Sequence, residues 1–349
     1  MRVLVVNAGS SSLKLRLVGA DDALLGARDL APGDEVGSAL DELGDPDAVG
    51  HRIVHGGARF SAPVVIDDAV AAALEELVVL APLHQPKSLA ALAAVRRARP
   101  GLPEVACFDT AFHAGLPAAA TTYALPAAWR ERWPLRRYGF HGLSHAWAAR
   151  RAGNGRVVTC HLGAGASLAA VHDGHSVDTT MGFTPLEGLV MATRSGSVDP
   201  GLLLWLLEHG DMSESELAEA LEHESGLRGL AGTPDMREVL AGAARGEPAA
   251  TLARDVYLHR LRAGIAAMAA ALGGLDTLVF TGGVGERAPE VRSRAAAGLD
   301  FLGVALDESA NAAASGDAEV GAPGAAARTL VVESREDLEI ARGVRSVLA

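Results

Sequence analysis

"VVNAGSSSLKL" (Val5–Leu15) decides how the chain is read. An apolar run, Val3–Val6, meets Asn7 and then only small residues, Ala8 to Ser12. Alternation then resumes, with Leu13, Leu15 and Leu17 on one face and Ser12, Lys14 and Arg16 on the other, the period of a β-strand. The pattern predicts a hairpin whose turn is nearly bare of side chains. Such a turn lets backbone N–H groups approach a ligand, and serine hydroxyls add donors, which suits a phosphate. An ordinary Gly/Ser hairpin turn has the same composition. The P-loop pattern G-x-x-x-x-G-K-[ST] is absent, and strand–turn–strand is the wrong setting for it.

The second half echoes this opening. "VVTCHLGAGASLAAV" (157–171) again reads strand, small-residue turn, strand, with His161 where Asn7 stood and a turn, Leu162 to Ser167, one residue longer. A third strand, "DTLVFTGGVGE" (276–286), also ends in a Gly-rich turn. Three such turns after strands argue against an accident of composition. The two phosphate-type hairpins predict a duplicated α/β domain, with the hairpins facing each other across a cleft. Helices are expected at 68–80, at 213–226 with a Ser213/Glu216 capping box and a Gly stop, and at 253–272. A strand is expected at 327–334 with a helix after it, and a loop at 312–327.

The 349 residues suffice for two domains with substantial cores. Hydrophobic content of 49% with 4% aromatics describes a globular protein with a core of Ala, Val and Leu. A net charge of −12 argues against nucleic acid or an anionic membrane as partner. Cys107 and Cys160 are the only cysteines. With no signal-peptide pattern at the start, they point to a reducing cytoplasm. The apolar stretch Ala263–Leu275 is too short to span a bilayer. Only Lys14 and Lys87 are lysines among 31 basic residues, so an isolated arginine carries little information.

Polar constellations follow. "GHRIVHGG" (50–57) sets His51, Arg52 and His55 between glycines. In a strand the two histidines stand roughly 13 Å apart, too far to share one ion. "HGLSH" (141–145) brings two histidines together if helical, but no carboxylate follows in a metal-ligand pattern. "CFDTAFH" (107–113) places Asp109 just past an apolar strand, where open α/β sheets bind ligands and where a carboxylate can equally cap a following helix. "RRYGFHG" (136–142) holds an aromatic and His141 between glycines. "MGFTPLEGLVMATRSGSVDPG" (181–201), with Arg194 and Asp199, is long, weakly periodic and loop-like, a kind of segment that tends to be functional.

Together with "VNAGSSSLK", "APLHQP", "YALP", "CHLGAGASLAAV", "VFTGGVGE" and "SREDLEIAR", these segments resemble the acetokinase family, of the sugar kinase, heat-shock chaperone and actin superfamily. They stand in family order over nearly the whole chain. The resemblance implies two duplicated ribonuclease H-like, actin-like ATPase domains, over 1–111 plus 338–349 and over 112–337. It implies Mg2+-dependent, reversible, in-line transfer of the ATP γ-phosphoryl group to acetate, giving acetyl phosphate and ADP, with Mn2+ as a substitute metal and a cytoplasmic homodimer. Carried over by motif, Asp109, Arg52, Arg194 and His141 are catalytic, and Arg52, Val54, Leu83, Phe140 and Pro185 line the substrate. Lys14, Ser10, Ser12, His161, Gly163, Gly165, Asp235, Met236, Arg237, Gly283, Val284, Gly285 and Arg287 bind ATP. Asn7 and Glu336 lie near the metal. The chain departs from the family at Ala164 and Arg287, where Asn is usual, and at Met236, where Phe is usual; segments around 20–50 and 150–156 are trimmed. Propionate or butyrate as acceptor, or a non-catalytic nucleotide-binding protein of the same fold, are the alternatives.

Overall fold

The opening hairpin forms as its alternation dictates. Strand β1 (Val3–Ala8) pairs antiparallel with β2 (Leu13–Val18), setting Asn7 opposite Lys14 and Ala8 opposite Leu13. The computed structural model describes every residue except Ser10, Ser11, Pro32, Gly33 and Leu83. The chain divides into two units. One comprises Met1–Ala114, Phe140–Trp147 and Arg335–Ala349; the other comprises Gly115–Gly139 and Ala148–Ser334. The segment with His141 thus groups with the first unit, whereas the family division would place it within 112–337. The reason is local: Gly142 N–H donates to the Asp109 carbonyl at 2.8 Å, and Leu143 and Trp147 pack against the first core.

In the first unit, β3 (Leu24–Leu30), β4 (Ala48–Ile53), β5 (Val64–Val65) and β6 (Glu104–Phe108) complete a sheet of order β3-β2-β1-β4-β6-β5. In the second, β7 (Arg156–Leu162), β8 (Ala166–His172), β9 (His175–Thr179), β10 (Thr277–Thr281), β11 (Ala318–Glu319) and β12 (Arg328–Val331) give the order β11-β12-β10-β7-β8-β9. Read from β3 and from β9, the successive pairings have the same sense: two antiparallel, two parallel, one antiparallel. The two sheets are copies of one α/β plan.

Several expectations shift in detail. The second hairpin turn is one residue shorter than the first, not longer. Leu162 pairs with Ala166 and leaves only residues 163–165 between, whereas Ala8 pairs with Leu13. Ala166 is small enough to read as turn, but it is fully buried in the ladder. "GGVGER" is not a turn after β10 but a short helix, Gly282–Arg287. The 213–226 helix keeps its capping box but ends early, at Glu219, and continues as a π-helical turn, Ala220–Glu224. Gly226 does not stop it. It opens the next helix, at φ +64°, because a Cβ there would lie 2.2 Å from the Met191 carbonyl oxygen. The long helix starts earlier than expected, at Pro248, and the loop at 312–327 contributes β11. Among the described residues no helix is long and apolar enough to cross a membrane.

Both faces of the first sheet are covered. Leu4, Val6 and Val49 meet Leu40, Leu43 and Val95 on one side. Val3, Val5 and Cys107 meet Leu338, Ile340, Ala341 and Val344 of the C-terminal helix Glu336–Leu348 on the other. That helix sits close because β4 presents Gly50 to it. A Cβ there would lie 2.5 Å from Ile340 Cγ2 and 2.7 Å from Val344 Cγ2. Gly50→Val should therefore cost about 1–3 kcal/mol through overpacking, read as a lower urea midpoint; an unchanged midpoint would show that the helix can move away freely.

Candidate functional site

Three neighbouring strands of the first unit deliver polar side chains to one place. Asn7 comes from the end of β1, Arg52 from β4 and Asp109 from just past β6. Arg52 forks onto Asp109, with Nε 3.0 Å from Oδ1 and Nη2 2.6 Å from Oδ2, while Nη1 donates to Asn7 Oδ1 at 3.1 Å. Asn7 Nδ2 donates in turn to Glu336 Oε2 at 2.8 Å, at the first turn of the C-terminal helix. Asp109 is 1% exposed. Burial opposes the charge on Arg52, but Asp109 and Glu336 outweigh it and hold the guanidinium above its ordinary pKa. Burial, with Glu336, raises Asp109 above the usual carboxylate value. The two-point guanidinium contact works against that rise. Asp109 does not cap the next helix; its carboxylate is spent on Arg52.

His141 adjoins this chain through the backbone. It adopts φ +55°, a conformation that residues other than glycine rarely adopt. The next residue allows no side chain, since a Cβ at Gly142 would lie 2.2 Å from the Asp109 carbonyl oxygen. Around it, Phe140 is buried, its carbonyl 3.1 Å from His113 Nε2 and its ring edge-on to His55 at 5.4 Å. Val54, which follows β4, is also buried. His51 binds Glu104 at 3.1 Å, and His55 Nδ1 accepts from Gly57 N–H at 2.8 Å. Among the described residues no group of three or more His, Cys, Asp and Glu could hold a metal.

In the second unit, Arg194 is held inside the irregular 181–199 segment. Its Nη1 donates to the carbonyl of buried Pro185 at 3.0 Å, with Met191 Sδ at 3.6 Å and Glu222 Oε2 at 3.4 Å from Nε. Burial lowers its pKa, partly offset by Glu222. Glu222 lies in the π-helical turn, whose position is pinned by Thr193 Oγ1 donating to its carbonyl at 2.8 Å. Ala192 N–H donates to the Ala164 carbonyl at 3.1 Å, tying this segment to the second hairpin.

Gly9 N–H meets the Ser12 carbonyl at 3.0 Å and Gly163 N–H the Gly165 carbonyl at 2.9 Å, with Lys14 exposed and His161 half-buried at the strand ends. A Cβ at Gly283 would meet nothing within 4 Å, and Val284 is half-buried. Gly285 is buried, its carbonyl taken by Arg292 at 2.9 Å, and Arg287 is exposed. Asp235 caps the helix Met236–Ala244 by accepting from Arg237 N–H at 2.9 Å and pairs with the Arg237 side chain, while Met236 turns into the core. Ser10 and Leu83, read as phosphate and substrate contacts, lie outside the described residues. Sequence reasoning missed Glu222, which sits in a glutamate-rich run, and Arg292, one arginine in a chain full of them; neither carries a local signal.

Comparison with known proteins then decides the lineage. The family model described as the acetokinase family matches residues 34–342. The chain belongs to the acetokinase family. Within it, an acetate kinase of Nostoc punctiforme is 47% identical over 88% of this chain and 78% of its own length. One from Clavibacter michiganensis is 44% identical over 97% of each. Among solved structures, the acetate kinase of Porphyromonas gingivalis superposes with TM-score 0.91 at 35% identity over the whole of both chains. A propionate kinase of Francisella tularensis gives 0.91 at 33%, over 99% of each. Acetokinase membership makes the chain a phosphotransferase, and its paired sheets are the actin-like ATPase fold.

The buried histidines beside the site make stability depend on pH. Burial depresses His55 and His113 to about 4. Their folded values lie below the unfolded one, so the stability they confer is present above about pH 6.5 and lost as pH falls toward 4. Each contributes about 2–4 kcal/mol over that window. Melting temperature should fall steadily from pH 6.5 to 4.5, and His113→Gln should make the slope shallower; equal slopes in both proteins would refute the assignment.

Proposed function

We propose that the chain transfers the γ-phosphoryl group of ATP to acetate, reversibly and by direct in-line displacement. A carboxylate oxygen of acetate forms the new bond to phosphorus, the bond to the β,γ-bridging oxygen breaks, and ADP leaves. The observation that carries this reading is the partly buried Arg52 fork, held on buried Asp109 and bonded to Asn7. Phosphoryl transfer asks mainly for alignment and for charge to meet the equatorial oxygens of a loose transition state. A guanidinium whose orientation is set before substrate arrives supplies both. Arg194, fixed by Pro185 and Glu222, is the second such fork, and His141 of the first unit is a further donor. Gly165, Ser12, Lys14 and the Gly283–Gly285 segment offer backbone and side-chain donors to nucleotide phosphates, with Asp235, Arg237 and Arg287 toward the nucleoside.

A divalent cation fits the donors present. Glu336 offers a carboxylate and Asn7 an amide oxygen, both hard ligands. So sparse a protein set suits Mg2+, which keeps phosphate oxygens and waters as its other ligands; Mn2+ has the same preference for oxygen. When bound, the ion neutralises charge on the β- and γ-phosphates. Buried Val54, Phe140 and Pro185 are apolar and none is shortened to Gly or Ala, which favours acetate over a longer acid. The Francisella relative, named a propionate kinase, keeps propionate as the second reading. Two buried, unpaired cysteines support a reducing, cytoplasmic setting.

A second copy of the chain is the partner we infer. The helix Pro200–His209 has no buried residue, and Leu204 and Trp205 are 68% and 55% exposed. An apolar face of that kind marks an interaction surface.

Trapping acetyl phosphate as the hydroxamate, with ATP and with or without Mg2+, tests the activity. Arg52→Ala and Arg194→Ala should each lower kcat by about 10²–10³ with a smaller change in KM for ATP. Propionate should be used about 10-fold or more less efficiently than acetate. No acetyl phosphate from the unaltered protein would sink the proposal. In sedimentation velocity, Trp205→Glu should shift a dimer toward monomer; an unchanged dimer would move the interface elsewhere.

A further inference from the structure

The carbonyl that holds Arg194 belongs to Pro185, and the backbone on both sides of Pro185 is gripped by one polar clamp. Tyr123 Oη donates to Glu187 Oε2 at 2.6 Å and accepts from Phe183 N–H at 2.9 Å. Arg137 Nη2 donates to Glu187 Oε1 at 2.8 Å, and its Nη1 donates to the carbonyls of Thr180 and Met181, each at 3.1 Å. Tyr138 N–H closes on the Gly182 carbonyl at 3.0 Å. Gly182 is required beneath the clamp, because a Cβ there would stand 1.7 Å from Glu187 Oε2 and 2.2 Å from Tyr123 Oη. The tyrosine hydroxyl is therefore bonded on one side of Pro185 to residue 183 and on the other to residue 187.

We propose that Tyr123 is a positioning residue for Arg194, acting through Glu187, Phe183 and the Pro185 carbonyl. Of the contacts to the Arg194 guanidinium, the Pro185 carbonyl is the shortest, against 3.4 Å to Glu222 and 3.6 Å to Met191 Sδ. A shift of the 183–187 backbone thus turns the fork. Burial and the Glu187 carboxylate raise the phenol's pKa, so Tyr123 stays a donor to Glu187. Tyr123 does not touch substrate in this scheme; it sets the direction in which Arg194 presents its free edge.

The inference rests on Arg194 acting as a phosphoryl clamp, and a double-mutant cycle separates the two claims. Tyr123→Phe removes one oxygen and keeps the ring. In the unaltered background it should lower kcat about 5–50-fold, since small misplacements of a transition-state group are costly, while KM for ATP changes less than about 2-fold. In the Arg194→Ala background the same substitution should leave kcat unchanged, because the fork it orients is gone. Glu187→Gln, which keeps the shape of the clamp, should show the same vanishing effect and serves if Tyr123→Phe fails to fold. Equal losses of kcat in both backgrounds, or no loss in either, would overturn the proposal for Tyr123. If Arg194→Ala alone leaves kcat intact, the clamp reading of Arg194 falls with it.

Discussion

A guanidinium buried against one carboxylate organises the first unit. Taking two charges out of water costs several kcal/mol for each ion, and removing one partner of such a pair typically costs about 3–5 kcal/mol. A pair like Arg52 and Asp109 is kept where its geometry is needed. The geometry comes from the sheet. Strands β1, β4 and β6 run parallel side by side, so their C-terminal ends bring Asn7, Arg52 and Asp109 together. Ligands of open α/β sheets bind at that edge. Glu336 reaches the same place because the C-terminal helix packs onto this sheet through Ile340 and Val344. Gly50 is the residue that lets it pack so near.

The second unit repeats the sheet but fills the equivalent edge differently. Beyond β10, the counterpart of β4 in the strand order, come glycines instead of a charged side chain, and His161 stands where Asn7 stood. The charge in this unit arrives on the irregular segment carrying Arg194, which has no regular hydrogen-bond ladder to hold it. Its bracing comes largely from outside the segment: the π-helical turn at Glu222, the approach of Gly226 to the Met191 carbonyl, and Tyr123 and Arg137 gripping the segment's own Glu187. One sheet thus ends in charged side chains and its copy in glycines.

The sequence alone determined what depends on short-range pattern. Period-two alternation located both hairpins, the capping box at Ser213 set a helix start, and apolar strands followed by bare turns revealed the duplication. Motif order also pointed to the family, and the candidate residues Arg52, Asp109, Asn7 and Glu336 were legible before any coordinates. Tertiary structure decided what each of them does to the others. Whether Asp109 caps a helix or binds Arg52 depends on the strands lying side by side, and the two residues are far apart in the chain. Gly226 as a close-approach residue and not a helix stop, and the grouping of His141 with the first unit, depend on backbone from distant segments, while Ala166 joins the strand through its pairing with Leu162. Glutamates and arginines are too common in this sequence for Glu222, Glu187 or Arg292 to announce themselves. Their roles come from burial and partners, and a local window of sequence contains neither.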